Sequence, residues 1–122
     1  MSMSGHFAYA QARLQARLAE IPDAAQAQQT LAARDLASLL ASVRATAQRR
    51  YVARLAPGMD AHELERHLRW EWMALVDEVA RWQPAAWFAA VSWLRWLPSL
   101  PLLQKVARGG RPPAWALSLI HI

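Results

Sequence analysis

The sequence predicts an all-α protein, a small antiparallel bundle of about four to five helices, and three observations carry that reading. Alanine supplies 26 of the 122 residues, a bias toward the strongest helix former. Apolar residues recur at spacings of three and four, the period of one helix face. Proline stands where each such run stops, at Pro22, Pro57, Pro84 and Pro98. A chain of this length supports one domain with a modest core, which excludes a multidomain enzyme.

The first helix is expected from about Gly5 to Glu20, with Phe7, Gln11, Leu14, Leu18 and Ile21 on one stripe and Pro22 as its stop. A second helix is expected from Asp23, its N-cap, through Leu31, Leu36, Leu39, Leu40 and Val43 to around Thr46. Arg49 to Leu55 forms a further turn or two that presents Tyr51, Val52 and Leu55 to the core before the Pro57-Gly58 turn. Asp60 and Glu63 make a capping box with Asp in the place of Ser or Thr, opening the clearest helix of the chain. Along it Leu64, Leu68, Glu71 or Trp72, Leu75, Val79 and Trp82 read as a buried seam, packing against Leu14, Leu18, Leu36 and Leu40.

That helix is expected to end near Gln83. After Pro84 a new helix carries Trp87, Val91 and Leu94 on one face, with Trp93 and Trp96 off it. Pro98-Ser99-Leu100-Pro101 is a corner, a last short helix covers about residues 102–108, and Gly109 to Pro113 is a flexible, then stiff, tail. The bundle is thus read as residues 1–97 and the short helix with its Pro- and Gly-containing tail as 98–122. Leu117-Ser118-Leu119-Ile120-His121-Ile122 breaks the preceding pattern and resembles translated sequencing-adapter read-through. Residues 117–122 are therefore read as non-native, with the natural chain continuing past about Ala116; an ordinary apolar tail is the other reading.

Charge divides the chain. Residues 1–78 hold nine Arg against nine Asp or Glu, whereas residues 79–122 hold Arg81, Arg95, Lys105, Arg108 and Arg111 with no acid. The whole net charge of +5 is therefore C-terminal. Thirteen Arg against one Lys reflects GC-rich coding more simply than phosphate recognition. The same region carries Trp82, Trp87, Trp93, Trp96 and Trp115. Interleaved Trp and basic residues suit a partner groove, a membrane interface or single-stranded nucleic acid. Ala85 to Leu103 has about the length of a membrane span, but Arg95, Pro98 and Pro101 oppose insertion. With no export signal in Met1 to Tyr9, the expected location is cytoplasmic, or peripheral at the inner face of the membrane.

Catalytic chemistry finds little to work with. The absence of Cys removes thiolate zinc sites and Cys nucleophiles. No Ser has a GxSxG context, and the four Gly make neither a P-loop nor a dinucleotide fingerprint. His62 and His67, five apart, point about 140° away from each other on a helix, so no metal is expected. Asp77-Glu78 is a lone acidic pair with Arg81 in helical reach. A non-enzymatic protein without cofactor is the expectation.

Phe7-Ala8-Tyr9-Ala10-Gln11-Ala12-Arg13-Leu14-Gln15-Ala16-Arg17-Leu18, then Leu36 to Leu40, Tyr51-Val52 with Leu55, and Glu63 with Leu64 and Leu68, carry a family resemblance. Over roughly residues 7–79 the chain resembles the N-terminal helical unit of the connector family of archaeal-type and vacuolar-type rotary ATPases, the component that joins the central stalk to the membrane ring. The resemblance implies a non-catalytic helical socket that couples the rotating stalk to that ring, with structural roles for Tyr9, Arg13, Arg17 and Glu63. A full member carries three such units and this chain has room for one, while Trp82 to Trp115 follows no pattern of that family. A truncated fragment, or a short bacterial relative with another role, follows.

The expectation is therefore a helical interaction or connector protein. Arg95, Trp96, Lys105, Arg108, Arg111 and Trp115 are its candidate contact surface. A protein partner is the leading occupant and a membrane surface the second. A small basic nucleic-acid-binding protein is the alternative, which would need Lys and Arg converging on one face and a steep salt dependence.

Overall fold

The computed structural model describes residues 3–114. Helix α1 spans Met3–Leu18, α2 Ala24–Leu31, α3 Leu36–Arg44, α4 Arg49–Val52, α5 Ala61–Trp82, α6 Ala85–Ser92 and α7 Leu100–Ala107, with a 3₁₀ segment at Trp93–Ser99 between the last two. No strand occurs among the described residues, so the fold is all-α. Helices α1 and α5 have about the expected length, whereas the helices within residues 24–44 and 85–92 are shorter than the sequence suggests. The expected 97/98 boundary also falls inside the 3₁₀ segment.

Local capping decides where the helices begin. Asp23 accepts a hydrogen bond from the Gln26 amide at 2.8 Å and opens α2. Asp35 does the same for Ser38 at 2.7 Å and opens α3. The single helix expected from Asp23 to Thr46 is thus two. Its apolar period continues through the break, but a carboxylate that satisfies the first orphan amides of a new helix makes the break cheap. The backbone and side-chain hydrogen bonds from Ser38 hold the Asp35 carboxyl below its ordinary value. Helix α2 buries no residue, and Leu31 at its end is 83% exposed.

One packed core lies where α3 meets α4 and the segment that leads into α5. Leu40, Val52 and Leu55 are buried together, with Leu36, Val43, Met59 and Leu64 packed against them. Thr46 donates to the Val43 carbonyl and accepts from the Gln48 amide, which bends the chain from α3 into α4. Arg44 then donates to the Leu55 carbonyl, and Gln48 to the Glu20 carbonyl at 2.6 Å, so the end of α1 is tied to the α3–α4 corner.

Helix α5 runs for 22 residues, about 33 Å at the usual rise. Both halves of its capping box form: Glu63 N to Asp60 at 2.9 Å and Asp60 N to Glu63 at 3.1 Å. Its buried residues are Val76, Ala80 and Trp82; of the expected seam Trp82 is buried, Leu64, Leu75 and Val79 are half-buried, and Leu68 is exposed. Leu68 is 46% exposed, and Leu18, assigned to the opposite side of that seam, is 62% exposed. The reason lies in residue size. Helix α1 packs along α5, and the fully buried residues of the two helices include Ala10 and Ala80. The two alanines admit close backbones, so burial on α5 falls on Val76, Ala80 and Trp82 rather than on Leu68. Leu75 and Val79, with Leu14, Leu18, Ile21 and Tyr51, instead line a cavity of about 290 Å³ open at one side.

Candidate interaction surface

After Gln83 the chain forms an arm of α6, the 3₁₀ segment and α7, held on α5 by packing of α6 and the 3₁₀ segment. Trp72 on α5 donates from its indole nitrogen to the Leu94 carbonyl at 3.0 Å. Phe7 on α1 meets Trp87 edge-on, with ring centroids 6.2 Å apart. These contacts fix the arm but do not bury it. Helix α6, Ala-Ala-Trp-Phe-Ala-Ala-Val-Ser, is apolar around nearly its whole circumference, and none of its eight residues is buried. A helix apolar on every side is normally found in a core or a membrane. Trp87 is 50% exposed, Trp93 56% and Leu103 49%, and Phe88, Leu94, Leu97 and Val106 are exposed too.

The sequence-predicted residues divide on this arm. Lys105, Arg108 and Arg111 are exposed. Arg95 is half-buried, its guanidinium 5.5 Å from the Trp96 ring, and its Nε has no hydrogen-bond partner among the described residues. Trp96 is half-buried as well, so the outward indole is that of Trp93. The helical wheel that put both outside loses register in the 3₁₀ segment, which turns every three residues. Trp115 and the 117–122 segment lie outside the described residues. Of the six Trp among the described residues only Trp82 is buried, and Trp87, which shares one expected face with Val91 and Leu94, is half exposed.

Sequence reasoning passed over Phe88, Leu97, Leu103 and Val106. The signal was present in α6, whose lack of a polar face says that no side of it is meant for water. At the far end of α7 the Gly109 and Gly110 amides donate to the Val106 and Lys105 carbonyls at 3.0 and 2.9 Å, a Schellman cap. Gly109 has φ of +85°, and a Cβ on Gly110 would come within 2.7 Å of Lys105 Cγ and 2.9 Å of its carbonyl oxygen.

A second polar constellation sits on the bundle. Glu78, expected to pair with Arg81, instead accepts from Arg17 of α1 and from Arg50 of α4, the latter at 2.8 Å. Burial pushes the Glu78 carboxyl up, but the hydrogen bonds from Arg50 and Arg17 together outweigh it and leave the group below its ordinary value. The same pairing raises the Arg50 guanidinium. A carboxylate held ionised between two guanidiniums ties three helices and is unsuited to proton transfer. Nearby, Arg13 lies 5.3 Å from the Tyr9 ring and 5.4 Å from that of Trp82, along an open groove that Arg17 also lines. His67 meets Trp70 edge-on at 5.6 Å. Among the described residues no group of three or more His, Cys, Asp or Glu is placed to hold a metal ion, and no helix is long and apolar enough to cross a membrane.

No protein-family model, no curated protein and no solved structure matches the chain.

Proposed function

We propose that the chain is a non-catalytic helical interaction module, in which the α1–α5 bundle is the scaffold and the arm from α6 to α7 is the working surface. The observation that carries this reading is α6, apolar on every side and yet without a buried residue. The cations beyond Gln83, unmatched by any acid there, make the same arm selective for a surface of opposite charge. Hydroxyl-radical footprinting tests it. Trp93, Leu97 and Leu103 should oxidise readily in the purified chain and be protected in the intact cell. Equal protection in both would contradict the reading.

The resemblance of residues 7–79 to rotary ATPase connectors supplies a narrower form, a helical coupling between a stalk and a membrane ring. The Glu63-headed long helix supports it, and co-purification of the chain with the rotary ATPase from its native cells tests it. A nucleic-acid role is less well supported, because much of the Arg complement is engaged internally. Arg17 and Arg50 hold Glu78, Arg44 holds the Leu55 carbonyl, and Arg13, Arg66 and Arg95 lie against aromatic rings.

A further inference from the structure

Resting on the reading of the arm as the working surface, we infer that its occupant is the headgroup interface of an anionic lipid bilayer. Charge is the first argument. Between Gln83 and Ala114 the arm carries Arg95, Lys105, Arg108 and Arg111, the last three exposed, and not one carboxylate, so no residue of the arm repels a negative surface. The chemistry of the exposed side chains is the second. Indoles at Trp87 and Trp93 accompany purely aliphatic groups at Leu94, Leu97, Leu103 and Val106. Indoles favour the headgroup depth of a bilayer, aliphatic groups the layer beneath it, and cations the phosphates above.

The geometry of α7 fits the same occupant. At helical spacing Leu102, Leu103, Val106 and Ala107 share one side, and Gln104, Lys105 and Arg108 the other, as in a helix lying in the plane of an interface. The Schellman cap matters here too. With the Lys105 and Val106 carbonyls taken up by Gly110 and Gly109, the end of α7 brings fewer unpaired acceptors to an apolar medium. Single-stranded nucleic acid fits less well, because four aliphatic side chains gain nothing from base stacking and Arg95 already lies against Trp96.

The test is flotation of the full chain with phosphatidylcholine vesicles and with the same vesicles doped with phosphatidylglycerol. Partition should be at least tenfold stronger on the doped vesicles and fall with salt. It should drop roughly fivefold for each cation removed, so that Lys105→Gln/Arg108→Gln loses about 25-fold. Trp93→Ala should weaken it further without altering the charge dependence. Partition that ignores lipid charge, or no partition at all, overturns the inference, as does preference for a single-stranded oligonucleotide added in competition. Footprinting of the lipid-free protein separates the two levels. A reactive arm with no vesicle binding removes only the lipid occupant and leaves a protein partner, whereas an arm already protected in the lipid-free chain removes the interaction reading with it.

Discussion

The indole of Trp72 reaches across from α5 to the Leu94 carbonyl at 3.0 Å, and this bond joins the scaffold to the arm. It satisfies a backbone acceptor in a 3₁₀ segment whose ladder is irregular around Pro98. Trp72→Phe keeps most of the ring and removes the donor, which should cost about 1 kcal/mol. The loss should be local. Amide exchange is expected to quicken between Leu94 and Ala107 while α3 and α5 keep their protection.

Core substitutions should separate buried from apparent leucines. Leu40→Ala, at 2% exposure beside Val52 and Leu55, is expected to cost roughly 2–5 kcal/mol in denaturant unfolding. Leu68→Ala, at 46% exposure, should stay below about 1 kcal/mol despite sitting in the helical register of the seam.

Glu78 should give the fold an acid-sensitive component. Its carboxyl lies below its ordinary value in the folded chain, so the stability it contributes is present above the unfolded pKa, near 4.3 in free peptides. That contribution is lost as pH falls through the folded value. Glu78→Gln should cost about 1 kcal/mol at neutral pH and flatten the pH dependence of unfolding in the acid range. An unchanged acid limb in that variant would show that Glu78 has no part in acid sensitivity.

The cap of α7 depends on two glycines for different reasons. Gly109→Ala meets a positive φ and should cost about 1 kcal/mol. Gly110→Ala meets the Lys105 side chain and carbonyl, and should open the cap and fray the last turn of α7. Faster exchange of the Gly109 and Gly110 amides would report either change.

Local chemistry was the legible part of this fold. The Asp60/Glu63 box and the Asp23 cap are short-range hydrogen bonds between residues three apart, and both form as read. The Asp35 break was hidden because Leu31, Leu36 and Leu39 keep the apolar period running through it. The seam of α5 is legible at Trp82 but not at Leu68, because periodicity weighs Leu above Ala, while the helices bury Ala10 and Ala80 and leave Leu68 out. At the candidate site, the one-sided charge beyond Val79 needed only counting. The half-burial of Trp96 beside an outward Trp93 did not follow from spacing, since it depends on a 3₁₀ winding.

The most direct measurement is denaturant unfolding of a chain whose arm has been made polar by Trp93→Gln, Leu97→Gln, Leu103→Gln and Val106→Gln. If the arm is a working surface borne by an independent scaffold, unfolding stays cooperative and its free energy stays within about 1 kcal/mol of the parent, while protection of the arm in the cell disappears. A loss of more than about 3 kcal/mol, the size expected for true core positions, would show that these side chains hold the fold together and that the arm is core.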